Sequence, residues 1–191
     1  MTSMDVDGHP RLPTALECAL AEVDHHLAAG GWDQPARLYA LVKTADLVES
    51  EPELAEGLGL SGSAGNNGVA PADNLTPVEQ ESLPEGEPLD EWLAGIGWPA
   101  EVIGCALAQE VLTLPPSVEA DVPTGPDADP AQWAATHPLR HEVRMVVGVL
   151  RDGSRSSVLR IRGKGTADDD LVKGDELVPL LADALAATLA D

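Results

Sequence analysis

The sequence predicts a single α+β domain: a mostly antiparallel four-stranded sheet covered by its N- and C-terminal helices. Three observations lead there. Apolar residues recur at helical spacing near both ends of the chain, two β-rich runs are joined through Asp152-Gly153, and two Gly- and Pro-rich stretches divide segments rich in Leu, Val, Ile and Ala. The 191 residues are 43% hydrophobic, enough for one sizeable core, whereas two domains would each be poorly stocked. Phenylalanine is absent, so four Trp are the bulkiest pieces available to that core.

Residues 1–11 read as a frayed terminus. A helix follows at 14–29, where Thr14 and Glu17 have capping-box spacing and Leu16, Leu20, Val23 and Leu27 form one stripe. ARLYALVK (36–43) reads as a first strand, and Thr44 as the cap of a short helix that Pro52 interrupts. Residues 57–87 read as a flexible acidic insertion, because Gly, Ser, Asn, Pro and acids leave too little apolar surface to bury. Within it Thr76, Pro77 and Glu79 fit a helical turn or two. PLDEWLAGIGWP (88–99) gives a short helix. EVIGCALAQEVLTL (101–114) is open to helix or strand; its Val, Ile and Thr content and the following Pro115-Pro116 favour a strand, with a bulge at Gly104. Residues 115–128 read as a flexible Pro-rich loop. A short helix then starts at Pro130 with Asp129 as cap, a hairpin spans 141–162, and an amphipathic helix at 175–190 has Asp175 as cap. The first and last helices are expected on one face of the sheet, with the other face partly open to a partner.

The formal net charge is −22, which repels phosphate backbones and anionic lipid and argues against direct nucleic-acid binding. Imitation of nucleic acid by the acidic surface, capturing a basic protein, stays open. No apolar run reaches the length of a membrane span, and the start MTSMDVDGHPRL has neither the basic nor the apolar region of a signal peptide; a cytoplasmic location is expected. Cys18 and Cys105 sit in apolar patterns and are expected to be unbridged, buried thiols.

Signatures of hydrolase, nucleotide, zinc-protease and redox chemistry are missing, so no catalytic or cofactor-binding residue is assigned and no cofactor is expected. GSAGNNG (62–68) follows no strand and has no nearby Lys; it reads as linker. His25 and His26 diverge by a helical step, Pro138 separates His137 from His141, and Asp168, Asp169 and Asp170 lack the alternating ligands of a calcium loop, so no metal site is expected. Glu110, inside an apolar strand pattern, is the candidate buried carboxylate; its plainer role is to pair with an Arg of the hairpin.

Charge is unevenly spread. Residues 140–164 hold 7 basic residues against 2 acidic, on an otherwise acidic chain. A two-residue turn at Asp152-Gly153 would place Arg160 opposite Met145 and Arg162 opposite Val143, with Arg144 and Arg155 on the other side; a three-residue loop with a bulge would change that pairing. Arg144, Arg155, Arg160 and Arg162, with Trp133 as an aromatic anchor, form the candidate partner surface. Internal neutralisation by neighbouring acids is the competing reading.

The segments GWDQPARLYALV, GIGWPAEVIGCALAQEVLTLPP, HPLRHEVRMVVGVLRDG and LVPLLADALAATL resemble an uncharacterised actinobacterial family, the PPA1309-like proteins, over most of the chain outside the two flexible stretches. The resemblance implies no activity and no site residues; the genes that accompany the family imply an accessory role. The expected function is that of a non-enzymatic interaction protein binding a protein partner through its sheet and basic hairpin. The alternatives are the nucleic-acid mimic and a small-molecule-binding or enzymatic domain with a pocket between sheet and helices.

Overall fold

In the computed structural model the described residues are 12–57, 73–82, 88–125, 128–163 and 169–190. The expected frayed terminus and most of the 57–87 insertion, GSAGNNG included, lie outside them, as does Asp168.

Helix α1 (Ala15–Ala29) opens on the expected capping box: Glu17 N donates to Thr14 Oγ1 at 3.2 Å and Thr14 N donates to Glu17 Oε2 at 2.7 Å. Strand β1 (Arg37–Lys43) leads into α2 (Thr44–Ser50) and α3 (Pro52–Gly57), with Pro52 restarting the helix. Thr44 caps nothing; its hydroxyl bonds to that of Thr76 at 2.9 Å. Then come β2 (Leu75–Ser82), α4 (Leu89–Ala94), β3 (Val102–Thr113), a 3₁₀ turn (Pro116–Asp121), α5 (Pro130–Thr136), the hairpin β4 (His141–Leu150) and β5 (Arg155–Ile161), β6 (Asp170–Gly174) and α6 (Pro179–Thr188). The strand expected at 101–114 is therefore β3. The segment read as a flexible Pro-rich loop holds the 3₁₀ turn, whose Val118 is buried.

Among the described residues the sheet is antiparallel in the order β2-β1-β3-β4-β5-β6, six strands rather than four. The two additional strands are its edges. Thr76-Pro77-Val78-Glu79 satisfies the rules of a helix start, yet pairing with β1 makes it strand; Pro77 is tolerated there because β2 is an edge with one pairing neighbour. Asp170 is not part of a solvated turn but the first residue of β6, paired with Ile161.

Both faces of the sheet are covered, and the terminal helices lie on opposite faces instead of sharing one. On the first face Leu16, Ala19, Leu20, Val23 and Leu27 of α1 pack on Tyr39, Leu41, Ala106, Ala108, Val146 and Val158. On the second, Leu93 of α4 and Leu181, Ala182 and Leu185 of α6 pack on Leu38, Cys105, Leu107, Val147 and Val149. The runs Leu38–Leu41 and Cys105–Ala108 are apolar at every position, the pattern of strands buried on both sides. Gly148 permits the close approach of α1: a Cβ there would stand 2.7 Å from Leu20 Cδ2. The bulge expected at Gly104 is present as a register shift against β1 between Leu41 and Val42.

The hairpin differs from the two-residue expectation. Leu150 N donates to Ser154 O at 2.9 Å, Gly153 N donates to Leu150 O at 3.0 Å, and Gly153 has φ 89°. This is a three-residue loop closed by a glycine bulge. Arg160 consequently stands opposite Arg144 and Leu159 opposite Met145. One residue of slip changes every cross-strand partner. Asp175 likewise does not cap the last helix, which starts at Pro179 with no side-chain cap.

Candidate interaction site

Four arginines of the basic segment, Arg144, Arg155, Arg160 and Arg162, face inward or sideways onto carboxylates. Arg144 lies in the interior, 1% exposed, and is not a surface contact. Its Nε and Nη2 donate to Glu110 Oε1 at 3.1 and 2.7 Å, and Nη2 also donates to Gly31 O. Glu110 Oε2 in turn accepts from Asp33 N at 2.7 Å. Glu110 thus takes the plainer of its two expected roles, its side chain 17% exposed and paired with Arg144. Together the two side chains clamp the turn between α1 and β1, where Asp33 holds a left-handed φ of 65°. Trp32 rides on that clamp, with the Arg144 guanidinium carbon 4.8 Å and that of Arg162 5.4 Å from its ring centroid.

Arg160 grips Asp24 of α1 with two hydrogen bonds, Nε to Oδ1 at 3.0 Å and Nη2 to Oδ2 at 2.5 Å. That contact, with Asp169 adding its charge, holds the guanidinium proton more firmly than usual. Arg162 bonds Glu142 beside it, which raises its pKa too, and lies 3.9 Å from Asp33. Arg155, on the opposite face, pairs with Asp183 of α6 at 2.6 Å. Trp133 is half-buried in α5, its ring 4.8 Å from that of His137. The structure thus groups Arg144 and Arg162 around Trp32 and sends Arg155 and Arg160 to different helices.

Three participants were not singled out from sequence. Asp24 had the one usable signal, a charge falling within the apolar side of α1 next to Val23. Trp32 had none, since its role depends on arginines far away in sequence. Arg151, in the hairpin loop, donates to Val102 O at 2.9 Å and to Leu189 O at 2.5 Å, tying the loop to the C-terminal end of α6.

With these arginines matched, the sheet edges remain. β2 offers Pro77, which lacks a donor, and the charge of Glu79. β6 offers no proline. Leu171 is 40% and Val172 41% exposed, on opposite faces, and Leu177 and Leu180 after the strand are exposed as well. Around them Asp170, Asp175 and Glu176 are exposed acids. An open strand edge carrying apolar side chains on both faces is a template for another strand.

Cys105 is buried and Cys18 half-buried; both are free thiols. Burial pushes the Cys105 thiol up to about 11, and burial with the charges of Glu17 and Glu22 raises that of Cys18. Among the described residues no group of three or more His, Cys, Asp or Glu converges as metal ligands, and no helix is long and apolar enough to cross a membrane. A family model described as PPA1309-like protein matches residues 16–190. No curated protein and no solved structure matches the chain.

Proposed function

We propose that this chain, which belongs to the PPA1309-like protein family, is a non-enzymatic interaction protein that takes an extended basic segment of a partner protein onto β6. The observation that carries this reading is the exposed pair Leu171 and Val172 on a strand that, among the described residues, is bonded along one side only. Main-chain pairing would supply affinity, and the two side chains, one per face, would set the partner's alternating pattern. The acids beside the strand and the net charge of −22 favour Lys or Arg flanking the partner's apolar residues. This keeps the sheet as the binding element and moves the contact from the hairpin's arginines to the strand next to it.

Capture from an extract of the native host tests the reading. Leu171→Asp with Val172→Asp should remove the captured partner while leaving the melting temperature nearly unchanged, since substitutions at exposed positions shift stability by about 0.5 kcal/mol. Capture that survives this change but falls steeply with salt would instead identify the acidic surface as the binding element, as in a nucleic-acid mimic.

A further inference from the structure

We infer that a second copy of this chain is the resting occupant of β6, the two β6 strands pairing antiparallel about a two-fold axis centred on Leu171. The inference rests on the reading of β6 as a template for strand addition, and adds what fills the edge before a partner arrives.

Alternation along the strand puts Asp169, Leu171 and Lys173 on one face. It is the α1 face: Leu171 stands opposite Arg160, which reaches Asp24 of α1, and Lys173 stands opposite Val158, which packs under α1. An edge that reads acid, apolar, base in steps of two calls for base, apolar, acid across from it. Followed in its own chain direction, an antiparallel neighbour with that order reads acid, apolar, base again, which is β6 itself. With Leu171 opposite its copy, each Lys173 faces the Asp169 of the other chain. A two-fold axis normal to the sheet keeps every residue on its own face, so the pairing is self-consistent.

The groups are free to meet. Lys173 is exposed and makes no salt bridge among the described residues. Asp169 is held in place by Gly163 N, which donates to its Oδ1 at 2.9 Å. Its Oδ2, 3.9 Å from Arg160 Nη1, is beyond hydrogen-bond reach of that cation. Charge also limits the strength of the pair, because two copies that each carry −22 repel. A second copy brings acids, not cations, toward Asp175 and Glu176, so a basic segment displaces it.

Analytical ultracentrifugation of the full chain should show a monomer–dimer equilibrium that moves toward dimer as sodium chloride is raised, whereas capture of a basic segment weakens. Lys173→Glu should weaken the dimer about tenfold, because both cross-strand pairs become repulsive. Lys43→Glu, the same charge change at an exposed position on β1, should leave it nearly unchanged. Register is read by mild oxidation in a Cys18→Ser background. Leu171→Cys should give a disulfide-linked dimer, since directly opposed Cα atoms stand about 4.5–5.5 Å apart; Val172→Cys, offset by two residues from its copy, should not. Monomer at every salt concentration, equal weakening by Lys43→Glu, or cross-linking through Val172→Cys in place of Leu171→Cys would each overturn the inference. Monomer throughout, with capture still lost in Leu171→Asp with Val172→Asp, would overturn it and leave the strand-addition reading standing. A dimer that behaves as described, with capture indifferent to those two changes, would support the pairing and remove the basic partner.

Discussion

Reversing the charge of Arg160 should destabilise the fold heavily, although the residue belongs to a segment that reads as a basic surface. Its guanidinium meets both oxygens of Asp24, and the Asp24 side chain is 5% exposed, so that carboxylate has exchanged water for Arg160. In Arg160→Glu the cation is gone and a second carboxylate faces Asp24, with Asp169 nearby. Removing one partner of a buried pair costs about 3–5 kcal/mol. For a chain of this size that is a fall in melting temperature of roughly 6–20 °C. Circular dichroism melts at neutral pH measure it. Arg162→Glu is the internal control: its side chain is 39% exposed and one of its partners, Asp33, is 86% exposed, so its melt should fall much less. Replacing both members, Asp24→Leu with Arg160→Met, should recover most of the loss, because apolar substitutes for a buried pair are often neutral. An Arg160→Glu melt within about 2 °C of the wild type would refute the reasoning, since that corresponds to less than about 1 kcal/mol.

The remaining predictions concern Tyr39, the thiols and Gly104. Burial first, then the charge of Glu79, pushes the Tyr39 phenol from 10.0 up to about 12, against an opposing pull from Arg37. A folded-state pKa above the unfolded one gives stability that is intact below pH 10.0 and lost as pH rises through about 12, a total of roughly 3 kcal/mol. Ultraviolet titration of the phenolate should show the high midpoint in native protein and the ordinary one in denaturant; a native midpoint near 10.0 would contradict it. Cys105 should resist thiol reagents until the protein unfolds, while half-buried Cys18 reacts earlier; rapid reaction of both in native protein would contradict their placement. Gly104→Ala should lower stability by about 1–3 kcal/mol or more, because the added methyl would press on the Val149 carbonyl and on Leu150; an unchanged denaturation midpoint would mean the strands can separate there.

Much of this architecture was legible because local signals and tertiary contacts agree. The α1 capping box, the Asp129 cap of α5 and the Asp152-Gly153 turn each announce their element, whereas the apolar run of β3 only favoured strand over helix. The edge strands were not legible. Leu75–Ser82 satisfies helix-start rules locally and becomes strand through pairing with β1, while Asp170–Gly174 is too short and too polar at its start to show a period. The hairpin register depended on whether the loop held two residues or three, a distinction that a single Asp-Gly pair does not make. For the candidate site, the clustering of arginines was visible and their partners were not. Asp24, Glu142 and Asp183 come from α1, β4 and α6, and only the fold decides that each meets an arginine. The exposed edge at Leu171 and Val172 was hidden for the same reason, since an edge is defined by the strand that is missing beside it.

Backbone hydrogen exchange of β6 with and without the captured partner tests the central claim most directly. Strand addition predicts that the amides of 170–174 slow in the complex while those of the β2 edge keep their rates. Unchanged exchange at 170–174, with slowing confined to the hairpin loop or the acidic N-terminal segments, would contradict it.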